Sequence, residues 1–261
     1  MQHGICNLSV IPGRIEPSDK SEMITQILFG EHLTVIRKQG NWLYIRCAFD
    51  NYECWIDVKQ AQEITPETFE ELESREITTS LELFYVLEDR ERGIFQPIVS
   101  GSSLPYFDGS ACNLEGFEYG FDGQTNTVKH GKTADFIIEN AYVYLNAPYL
   151  WGGRSPLGID CSGFTQVVFK NAGIKLERDA YLQARQGQTL SFINEASAGD
   201  LAFFDNSEGR ITHVGILMGN DRIIHASGRV RIDKIDHQGI FNADTGEYSH
   251  QLRLIKRMIN T

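Results

Sequence analysis

The sequence predicts an α+β fold in its C-terminal half, preceded by two small β-rich blocks. Short runs of β-branched and aromatic residues, separated by turn signals, fill the first half of the chain. Helical patterns follow from Thr133 onward, and strand-like runs then continue to the C-terminus. Helices followed by consecutive antiparallel strands are the order expected of an α+β domain.

The length and charge of the chain limit its architecture and partners. The 261 residues are enough for two or three domains. A net charge of -11 argues against nucleic acid and against an anionic membrane surface as partners. No run of about 18 apolar residues occurs, and residues 1–6 do not resemble a signal peptide. Five cysteines without regular spacing indicate reduced thiols, so we expect a cytoplasmic protein.

Residues 1–62 have the pattern of a small β-barrel. Runs at 33–36, 42–47 and 54–56 are rich in β-branched and aromatic residues. The pairs Gly40-Asn41 and Asp50-Asn51 between them are turn signals. Short strands at this spacing predict a barrel. The acidic stretch at 63–76 is expected to be a surface connector with some helix.

A second β-rich block extends to residue 128. Runs at 83–87 and 95–99 predict strands, and glycine-rich and proline-containing segments at 101–105 and 107–109 predict turns. A glycine-rich aromatic segment at 117–121 closes the block. These features predict a second barrel of the same type.

The third region opens with two helices. Thr133 can cap a helix that carries Phe136, Ile137, Ala141 and Tyr144 on one face. A glycine-rich loop leads to Asp-Cys-Ser-Gly around Cys161, and an apolar run with helical spacing follows. We therefore expect Cys161 in the first turn of a helix that ends near Gly173.

Cys161 is the candidate nucleophile of the chain. The helix dipole and the unpaired N–H groups of a first turn lower the pKa of a thiol, and the thiolate is the attacking form. The alternative is a buried cysteine that acts as a small hydrophobic residue. The polar neighbours Asp160 and Ser162 and the glycines upstream favour the lip of an open cleft.

Two histidines can supply the base that a cysteine nucleophile needs. His213 begins an apolar strand and His225 ends the next one, with a hairpin turn at 219–221 between them. In an antiparallel pair these positions are neighbours, so one imidazole can act as base while the other orients it.

Other roles for the histidines are less favoured. We interpret His3, His32, His130, His237 and His250 as structural. A metal site of His213, His225 and Cys161 is an alternative, but zinc ligands usually include closer pairs in the sequence. We therefore expect neither a metal nor a cofactor.

The sequence Tyr-Leu-Trp-Gly-Gly…Asp-Cys-Ser-Gly-Phe at 149–164 resembles the NlpC/P60 family of cysteine peptidases. Segments at 198–201, 213–216 and 224–226 continue the family pattern in the same order, and the resemblance covers about residues 130–261. The two N-terminal blocks resemble bacterial SH3-like (SH3b) domains. The resemblance implies an SH3-like domain over 1–62, a linker with a second one over 63–128, and a papain-like catalytic domain over 129–261.

The resemblance also implies the roles of the central residues. Cys161 would be the nucleophile, His213 the general base and His225 the residue that orients it. Tyr149 and Trp151 of the Tyr-x-Trp-Gly-Gly motif would lie near the active site, and Asp160 and Ser162 would line the substrate pocket. The backbone N–H of Cys161 would donate to the oxyanion.

The layout is similar to cytoplasmic γ-D-glutamyl-L-diamino acid endopeptidases, which recycle peptidoglycan stem peptides. Such enzymes require a free N-terminal L-alanine and carry an Arg-Asp-Ser motif, which reads Arg178-Asp179-Ala180 here. Asp179 would pair with the substrate ammonium, whereas Ala180 lacks the usual serine hydroxyl. Tyr52 and Glu22 are the candidates that the first SH3-like block would contribute to the cleft.

Other functions stay open on the sequence alone. The SH3-like blocks could target a secreted hydrolase or amidase to the cell wall. A non-catalytic binding protein with the same fold is a further alternative, which the intact set of Cys161, His213 and His225 disfavours. Whether the third stem-peptide residue is diaminopimelate or lysine is also open.

Overall fold

The protein, seen in a computed structural model, consists of two compact units. Residues 2–89, 91–114, 116–126 and 133–259 are described. Unit 1 comprises Met1–Thr127 and Trp151–Pro156, and unit 2 comprises Val128–Leu150 and Leu157–Thr261. Among the described residues, no helix has the length and hydropathy needed to cross a bilayer.

Unit 1 is built from two antiparallel sheets and one helix. Its strands are β1 (His3–Ile5), β2 (Val10–Arg14), β3 (Met23–Leu28), β4 (His32–Gln39), β5 (Trp42–Cys47), β6 (Glu53–Asp57), β7 (Gln62–Ile64), β8 (Phe84–Asp89), β9 (Ile94–Val99), β10 (Ala111–Leu114) and β11 (Phe117–Gly120). The first sheet has the order β3-β2-β6-β5-β4-β1-β7, and the second has the order β10-β11-β8-β9. Helix α1 (Pro66–Ser74) follows β7.

The first sheet contains the strands predicted for residues 1–62. The runs at 33–36, 42–47 and 54–56 lie in β4, β5 and β6, and Gly40, at φ +57°, closes the β4–β5 hairpin. Alternate residues such as Leu43 and Ile45 are buried, since successive side chains of a strand point to opposite faces. The acidic connector forms α1, whose N-cap Thr65 accepts from the backbone N–H of Thr68.

The second predicted barrel is a four-stranded sheet among the described residues. The predicted strands at 83–87 and 95–99 correspond to β8 and β9, and the glycine-rich aromatic segment at 117–121 contains β11. Leu87 and Phe121 from this sheet share one hydrophobic cluster with Ile5 and Phe29 from the first block. That the second block is an SH3-like barrel, and that a domain boundary lies at 62–63, stay predictions. The predicted boundary at 128–129 lies outside the described residues.

The glycine-rich loop Trp151–Pro156 packs within unit 1. The guanidinium of Arg154 donates to both carboxylate oxygens of Glu31 at 2.9 Å and to the carbonyl oxygen of Gln26 at 2.7 Å. Both members of the ion pair are buried. The indole N–H of Trp151 donates to Glu22 at 2.6 Å. The loop therefore packs on β3 and on the turn after it.

Unit 2 packs helices against a mostly antiparallel β-structure. Its helices are α2 (Ala134–Tyr142), α3 (Cys161–Asn171) and α4 (Ala180–Gln183). Its strands after the short β13 (Gly158–Ile159) are β14 (Gln188–Leu190), β15 (Leu201–Asp205), β16 (Ile211–Gly219), β17 (Arg222–Ser227), β18 (Arg229–Ile235), β19 (Gly239–Asn242) and β20 (Glu247–Arg257). The two-residue strand β12 (Arg154–Ser155) belongs to the loop of unit 1.

The large sheet of unit 2 closes on itself. Its order is β14-β20-β15-β16-β17-β18-β19, and β19 also pairs with β20. Phe204, Ile223 and Ile240 are among the residues of the hydrophobic cluster that this sheet forms. Helix α3 packs on β16 and β17, the strands that carry His213 and His225. The α+β order predicted from the sequence is confirmed.

Local signals in the sequence are reproduced in unit 2. Thr133 caps α2 by accepting from the N–H of Phe136, and α3 ends before Gly173, which has φ +71°. The β16–β17 turn consists of Asn220 and Asp221, both with positive φ, between the paired residues Gly219 and Arg222. Two positive-φ residues are the type I′ turn of a tight hairpin.

Candidate active site

Cys161 is the first residue of α3. Asp160 is the N-cap and accepts from the N–H of Gly163 at 2.6 Å. The Cys161 thiol lies 4.0 Å from the carbonyl oxygen of Thr212 and next to the N–H of Val214. These backbone groups flank His213 in β16, so the thiol lies against the strand on which this imidazole is carried.

The protonation state of Cys161 differs from the sequence prediction. Burial raises the pKa of the thiol to about 12, and the Asp160 carboxylate adds to this effect. Backbone N–H groups and Arg178 lower the pKa, but they do not outweigh burial. The predicted lowering of the thiol pKa is therefore wrong, because the first turn of α3 is buried and desolvation disfavours the thiolate.

The expected open cleft lip is also not found at the nucleophile itself. Asp160, Cys161 and Ser162 are only 5%, 6% and 6% exposed. Arg178 donates to both oxygens of Asp160, at 3.1 and 2.5 Å, and to the hydroxyl of Ser162 at 3.0 Å. The polar residues beside Cys161 therefore belong to a buried network that ties the start of α3 to the segment before α4.

The hairpin brings His213 and His225 together as predicted. Gly215 pairs with His225, so His213 is the diagonal neighbour of His225 on one face of the sheet. Nε2 of His213 lies 2.8 Å from Nδ1 of His225. Both imidazoles are buried, and burial together with His225 and His250 holds the pKa of His213 well below its usual value. The imidazole of His213 is therefore neutral at pH 7.

The hydrogen-bond chain continues into β18. Nε2 of His225 lies 3.0 Å from Oδ2 of Asp233, and Arg231 donates to both oxygens of Asp233 at 2.6 and 2.8 Å. Burial alone would raise the pKa of Asp233, but the hydrogen bonds from His225 and Arg231 outweigh it and lower the pKa to about 2. Asp233 is therefore ionised and can only accept hydrogen bonds.

For the neutral form of both rings, this chain fixes the tautomer of each imidazole. Because Asp233 accepts, His225 carries its proton on Nε2 and offers a lone pair at Nδ1. His213 must then donate from Nε2, which leaves the lone pair of His213 on Nδ1. Nδ1 of His213 has no hydrogen-bond partner among the residues that the structure describes.

A third histidine lies beside the pair. The ring of His250 stacks on that of His213 with centroids 4.1 Å apart and planes inclined by 26°. His213, His225 and His250 each offer a nitrogen within 4.8 Å of the others. From the sequence alone His250 is structural and the alternative metal site contains Cys161, whereas the structure gathers His213, His225 and His250.

Tyr149 lies close to the nucleophile. Burial raises the pKa of its phenol, and Cys161 and Asp160 raise it further, which shows that both lie near the ring. The backbone of Tyr149 is held by a bond from its N–H to Gly228 and by a bridge to Ile159. The structure therefore brings this predicted residue to the site.

Asp179 and Ala180 begin the short helix α4. Asp179 is the N-cap, but its side chain makes no capping bond to the first turn, and the helix ends at Gln183. The side chain of Asp179 is half-buried, and Ala180 is buried. Asp179 directly follows Arg178, which binds Asp160 in the buried network at the start of α3.

The two predicted residues of the first block, Glu22 and Tyr52, make separate contacts in the structure. Glu22 accepts from Trp151, whose side chain is 59% exposed. Tyr52 lies in the turn after Asn51, and its N–H donates to Asp50. A contribution of Tyr52 or Glu22 to the catalytic cleft stays a prediction.

An open groove of about 830 Å³ lies in unit 2 beside the histidines. Thr212, whose carbonyl oxygen is near the thiol, and His250, which stacks on His213, both line it. Asp205 is the acidic residue among the lining residues, none of which is lysine or arginine. The groove therefore lies on the imidazole side of Cys161.

Sequence reasoning missed Asp233, Arg231, Arg178 and His250 as parts of the site. Strand β18 carries a signal for two of them, because Arg231 and Asp233 are two residues apart and so share a face. Their partner His225 pairs with Arg231 across the sheet, which requires the strand register. The other two residues reach the site only through the packing of α3 and β20.

Comparison with known proteins identifies the family of the chain. The NlpC/P60 family model matches residues 146–247, and the model of the bacterial dipeptidyl-peptidase Sh3 domain matches residues 13–60. The chain is 31% identical over 218 residues to a γ-D-glutamyl-L-lysine dipeptidyl-peptidase of Bacillus subtilis, covering 77% of this chain and 71% of that protein. It is 27% identical over 232 residues to the protein of that name from Bacillus cereus, covering 80% and 68%.

A solved structure shows the same fold over the whole chain. The crystal structure of an NlpC/P60 family protein from Bacillus cereus superposes with a TM-score of 0.84 at 20% identity, covering 99% of this chain and 100% of the other. Together with the B. subtilis relative, this confirms the resemblance carried by the motifs around Cys161 and His213. The chain belongs to the NlpC/P60 family and is a cysteine peptidase.

Proposed function

We propose that the protein hydrolyses the γ-D-glutamyl–L-diamino acid bond of peptidoglycan stem peptides that begin with a free L-alanine. The observation that carries the proposal is the hydrogen-bonded chain from Asp233 to His213, which leaves a basic nitrogen on the strand that the Cys161 thiol lies against. Relatives named γ-D-glutamyl-L-lysine dipeptidyl-peptidases support the substrate class. That the catalytic domain is papain-like belongs to the same proposal.

Catalysis starts from a neutral pair, since the pKa of the thiol is high and that of the imidazole is low. Nδ1 of His213 takes the proton of Cys161 as the sulfur attacks the scissile carbonyl carbon. The imidazolium keeps its Nε2–H bond to His225, whose lone pair is directed there by Asp233. The oxyanion forms near the N–H of Cys161, which has no intrahelical acceptor at the start of α3.

The tetrahedral intermediate collapses by breaking the carbon–nitrogen bond. The leaving amine takes the proton from Nδ1 of His213, and the acyl group stays on Cys161 as a thioester. Water then gives a proton to Nδ1 and attacks the thioester, which releases the acid product and returns the proton to the sulfur. Tyr149, close to the thiol, is positioned to contact the acyl group.

The leaving diamino acid occupies the groove beside His250. The amine receives its proton from His213, so the leaving fragment must lie on the imidazole side of the thiol. This is the side of the groove lined by Thr212 and His250. Asp205 suits the side-chain ammonium of lysine, since its present partner Arg253 is 62% exposed and lies 3.6 Å away. We propose lysine over diaminopimelate, whose extra carboxylate meets no lining cation.

The acyl side recognises the free amine of L-alanine through Asp179. The buried Arg178 anchors the start of α4, and this anchor fixes the backbone from which the Asp179 carboxylate extends. Asp160 and Ser162 support this wall through Arg178, and Ala180 provides no hydroxyl there. Trp151, Glu22 and Tyr52 of unit 1 stay predictions from the sequence as further substrate-binding residues.

A role in recycling freed wall peptides inside the cell follows from the requirement for a free L-alanine. Intact peptidoglycan blocks this amine, so the substrate must already have been released from the glycan. The alternative is a secreted cell-wall hydrolase or amidase for which the SH3-like region provides wall binding. The match of residues 13–60 to a dipeptidyl-peptidase Sh3 domain favours the first.

The test is hydrolysis of L-Ala-γ-D-Glu-L-Lys by the purified protein, followed by mass spectrometry. The N-acetylated peptide and the meso-diaminopimelate peptide are run in parallel. We expect release of L-Ala-D-Glu from the free lysine peptide, slower release from the diaminopimelate peptide and none from the acetylated one. Cys161→Ala should be inactive, and Asp179→Asn should raise KM for the free peptide.

Two results would contradict this assignment. Equal cleavage of free and acetylated peptides would refute amine recognition by Asp179, while leaving the peptidase chemistry intact. Cleavage of intact peptidoglycan sacculi at a rate matching that of the free peptide would favour the secreted hydrolase. Asp221→Asn, in the exposed hairpin turn, is the matched control for the charge removed at Asp179.

A further inference from the structure

The three imidazoles of unit 2 converge with a geometry close to that of a metal site. One nitrogen from each of His213, His225 and His250 lies within 4.8 Å of the other two. Zinc–imidazole bonds of about 2.0–2.1 Å in a tetrahedral site require nitrogens about 3.4 Å apart. The pair His213 and His225 is at 2.8 Å and the nitrogens of all three lie within 4.8 Å, so side-chain rotations that part this pair and draw His250 in would reach the required spacing.

Two of the three imidazoles are already oriented by hydrogen bonds of their other ring nitrogen. Nε2 of His225 lies 3.0 Å from Asp233, which directs Nδ1 of His225 toward the cluster. Nδ1 of His250 lies 2.8 Å from the hydroxyl of Ser249, which leaves Nε2 of His250 as its ligand atom. Metal-bound histidines characteristically hold their second nitrogen in such bonds to a carboxylate or hydroxyl. His250 also lines the groove, which gives an ion a path from solvent.

We propose that this histidine cluster binds a first-row divalent cation such as Zn²⁺ and that binding inhibits the peptidase. The inhibition rests on the proposed function, in which Nδ1 of His213 is the base. A cation held by Nδ1 of His225, Nε2 of His250 and Nε2 of His213 uses the nitrogen that now carries the His213 proton.

The proton balance explains why binding inhibits. The Nε2–H bond of His213 breaks as the metal–Nε2 bond forms, and the proton is rebound at Nδ1 of the same ring. No net proton is released, but the lone pair that would accept the proton of Cys161 is lost. The metal therefore holds His213 in the inactive tautomer without contacting the thiol.

The test separates this site from ordinary zinc binding by a cysteine. Zn²⁺ binding is measured by calorimetry on Cys161→Ala protein, which lacks the active-site thiol. His250→Phe in that background keeps a stacked ring but removes the third donor. His237→Phe, in the same groove but outside the cluster, is the matched control. We expect His250→Phe to weaken binding by about a hundredfold or more, because loss of even an outer-shell partner costs about 10–100-fold.

A second readout tests the link to His213 without any peptide substrate. The alkylation rate of Cys161 by iodoacetamide is measured in the full-length protein with and without Zn²⁺, each variant against its own metal-free rate. We expect Zn²⁺ to slow alkylation in the wild type and to have little effect in His250→Phe. Equal zinc affinity of the Cys161→Ala protein with and without His250 would overturn the site. Tight binding without slower alkylation would overturn the inhibition, and neither result depends on which peptide is cleaved.

Discussion

In the proposed mechanism, Asp233 and Arg231 determine the protonation of Nδ1 of His213, an atom that neither of them contacts. Arg231 keeps Asp233 ionised, Asp233 fixes the tautomer of His225, and His225 fixes that of His213. Two hydrogen bonds join Arg231 to Asp233, and each later step depends on one hydrogen bond whose donor is fixed by the step before it. The two residues are therefore positioning residues for the base.

Replacing Asp233 by asparagine should lower kcat by about 10²–10⁴-fold with little change in KM, the scale expected when a base is held in the wrong tautomer. An amide N–H directed at His225 cannot accept its Nε2 proton, so the tautomers of both rings reverse. The measurement is steady-state kinetics together with ¹⁵N NMR of the His213 ring, which should show the proton moved from Nε2 to Nδ1.

Asp244→Asn is the control for this prediction, since Asp244 also pairs with Arg231 but is 67% exposed and does not contact His225. Its kcat should stay close to that of the wild type. An unchanged His213 tautomer in Asp233→Asn would contradict the chain of hydrogen bonds as the cause of any loss of activity.

The pH dependence of Cys161 alkylation tests the neutral resting pair. The pKa of the thiol is raised to about 12, so the thiolate is the minor form throughout the neutral range. In His213→Gln, which lacks the base, the alkylation rate should rise about tenfold per pH unit between about pH 7 and pH 10. A plateau reached near pH 8 or 9 would mean that burial does not raise this pKa.

At the scale of elements, the start of α3 depends on one carboxylate. Asp160 caps the helix through Gly163 and pairs with the buried Arg178, which is 2% exposed. The same residue thus joins the helix that carries Cys161 to the segment that carries Asp179. Loss of the carboxylate removes the counterion that Asp160 provides to the buried guanidinium, which is far more costly than loss of a surface pair.

Asp160→Ala should therefore reduce the free energy of unfolding by about 3–5 kcal/mol, the range for breaking a buried pair. Urea unfolding measures the loss, and hydrogen exchange of the α3 amides locates it. Asp57→Ala removes a comparable cap beside an exposed lysine and should cost only about 1 kcal/mol. Equal losses in the two variants would show that the buried pair contributes nothing beyond the cap.

At the scale of the whole molecule, the glycine-rich loop Trp151–Pro156 leaves unit 2 in sequence and packs within unit 1. Gly152 has φ +76°, and a Cβ there would lie 2.4 Å from the carbonyl oxygen of Met23. Only glycine allows the loop backbone to approach β3 this closely. The loop is therefore part of the packing of unit 1 as much as a lead-in to Cys161.

Gly152→Ala should release the loop from unit 1, whereas Gly228→Ala should not. Gly228 has a similar φ of +70°, but a Cβ there meets no atom within 4 Å, so it costs only the left-handed strain of about 1–2 kcal/mol. The readout is exchange of the Arg154 amide, which donates to Gln26 at 2.7 Å. Retained protection of this amide in Gly152→Ala would contradict the predicted clash.

The sequence by itself determined the elements whose signals are local. Thr133, the residues around Asp160 and Cys161, and the turn at 219–221 specify two helix starts and a hairpin through caps and turn residues. The hairpin in turn implied that His213 and His225 meet, because strand pairing after a tight turn allows one register. These parts of the site could be predicted because each depends on residues close in the sequence.

Only the tertiary structure decided the environment of those residues. Burial of α3 raises the pKa of the thiol that its helix position was expected to lower, since desolvation outweighs the first-turn N–H groups. Asp233, Arg178 and His250 reach the site through strand order and helix packing, over separations that leave no periodic signal. The sequence therefore determined which groups can react, and long-range packing decided their protonation and tautomers.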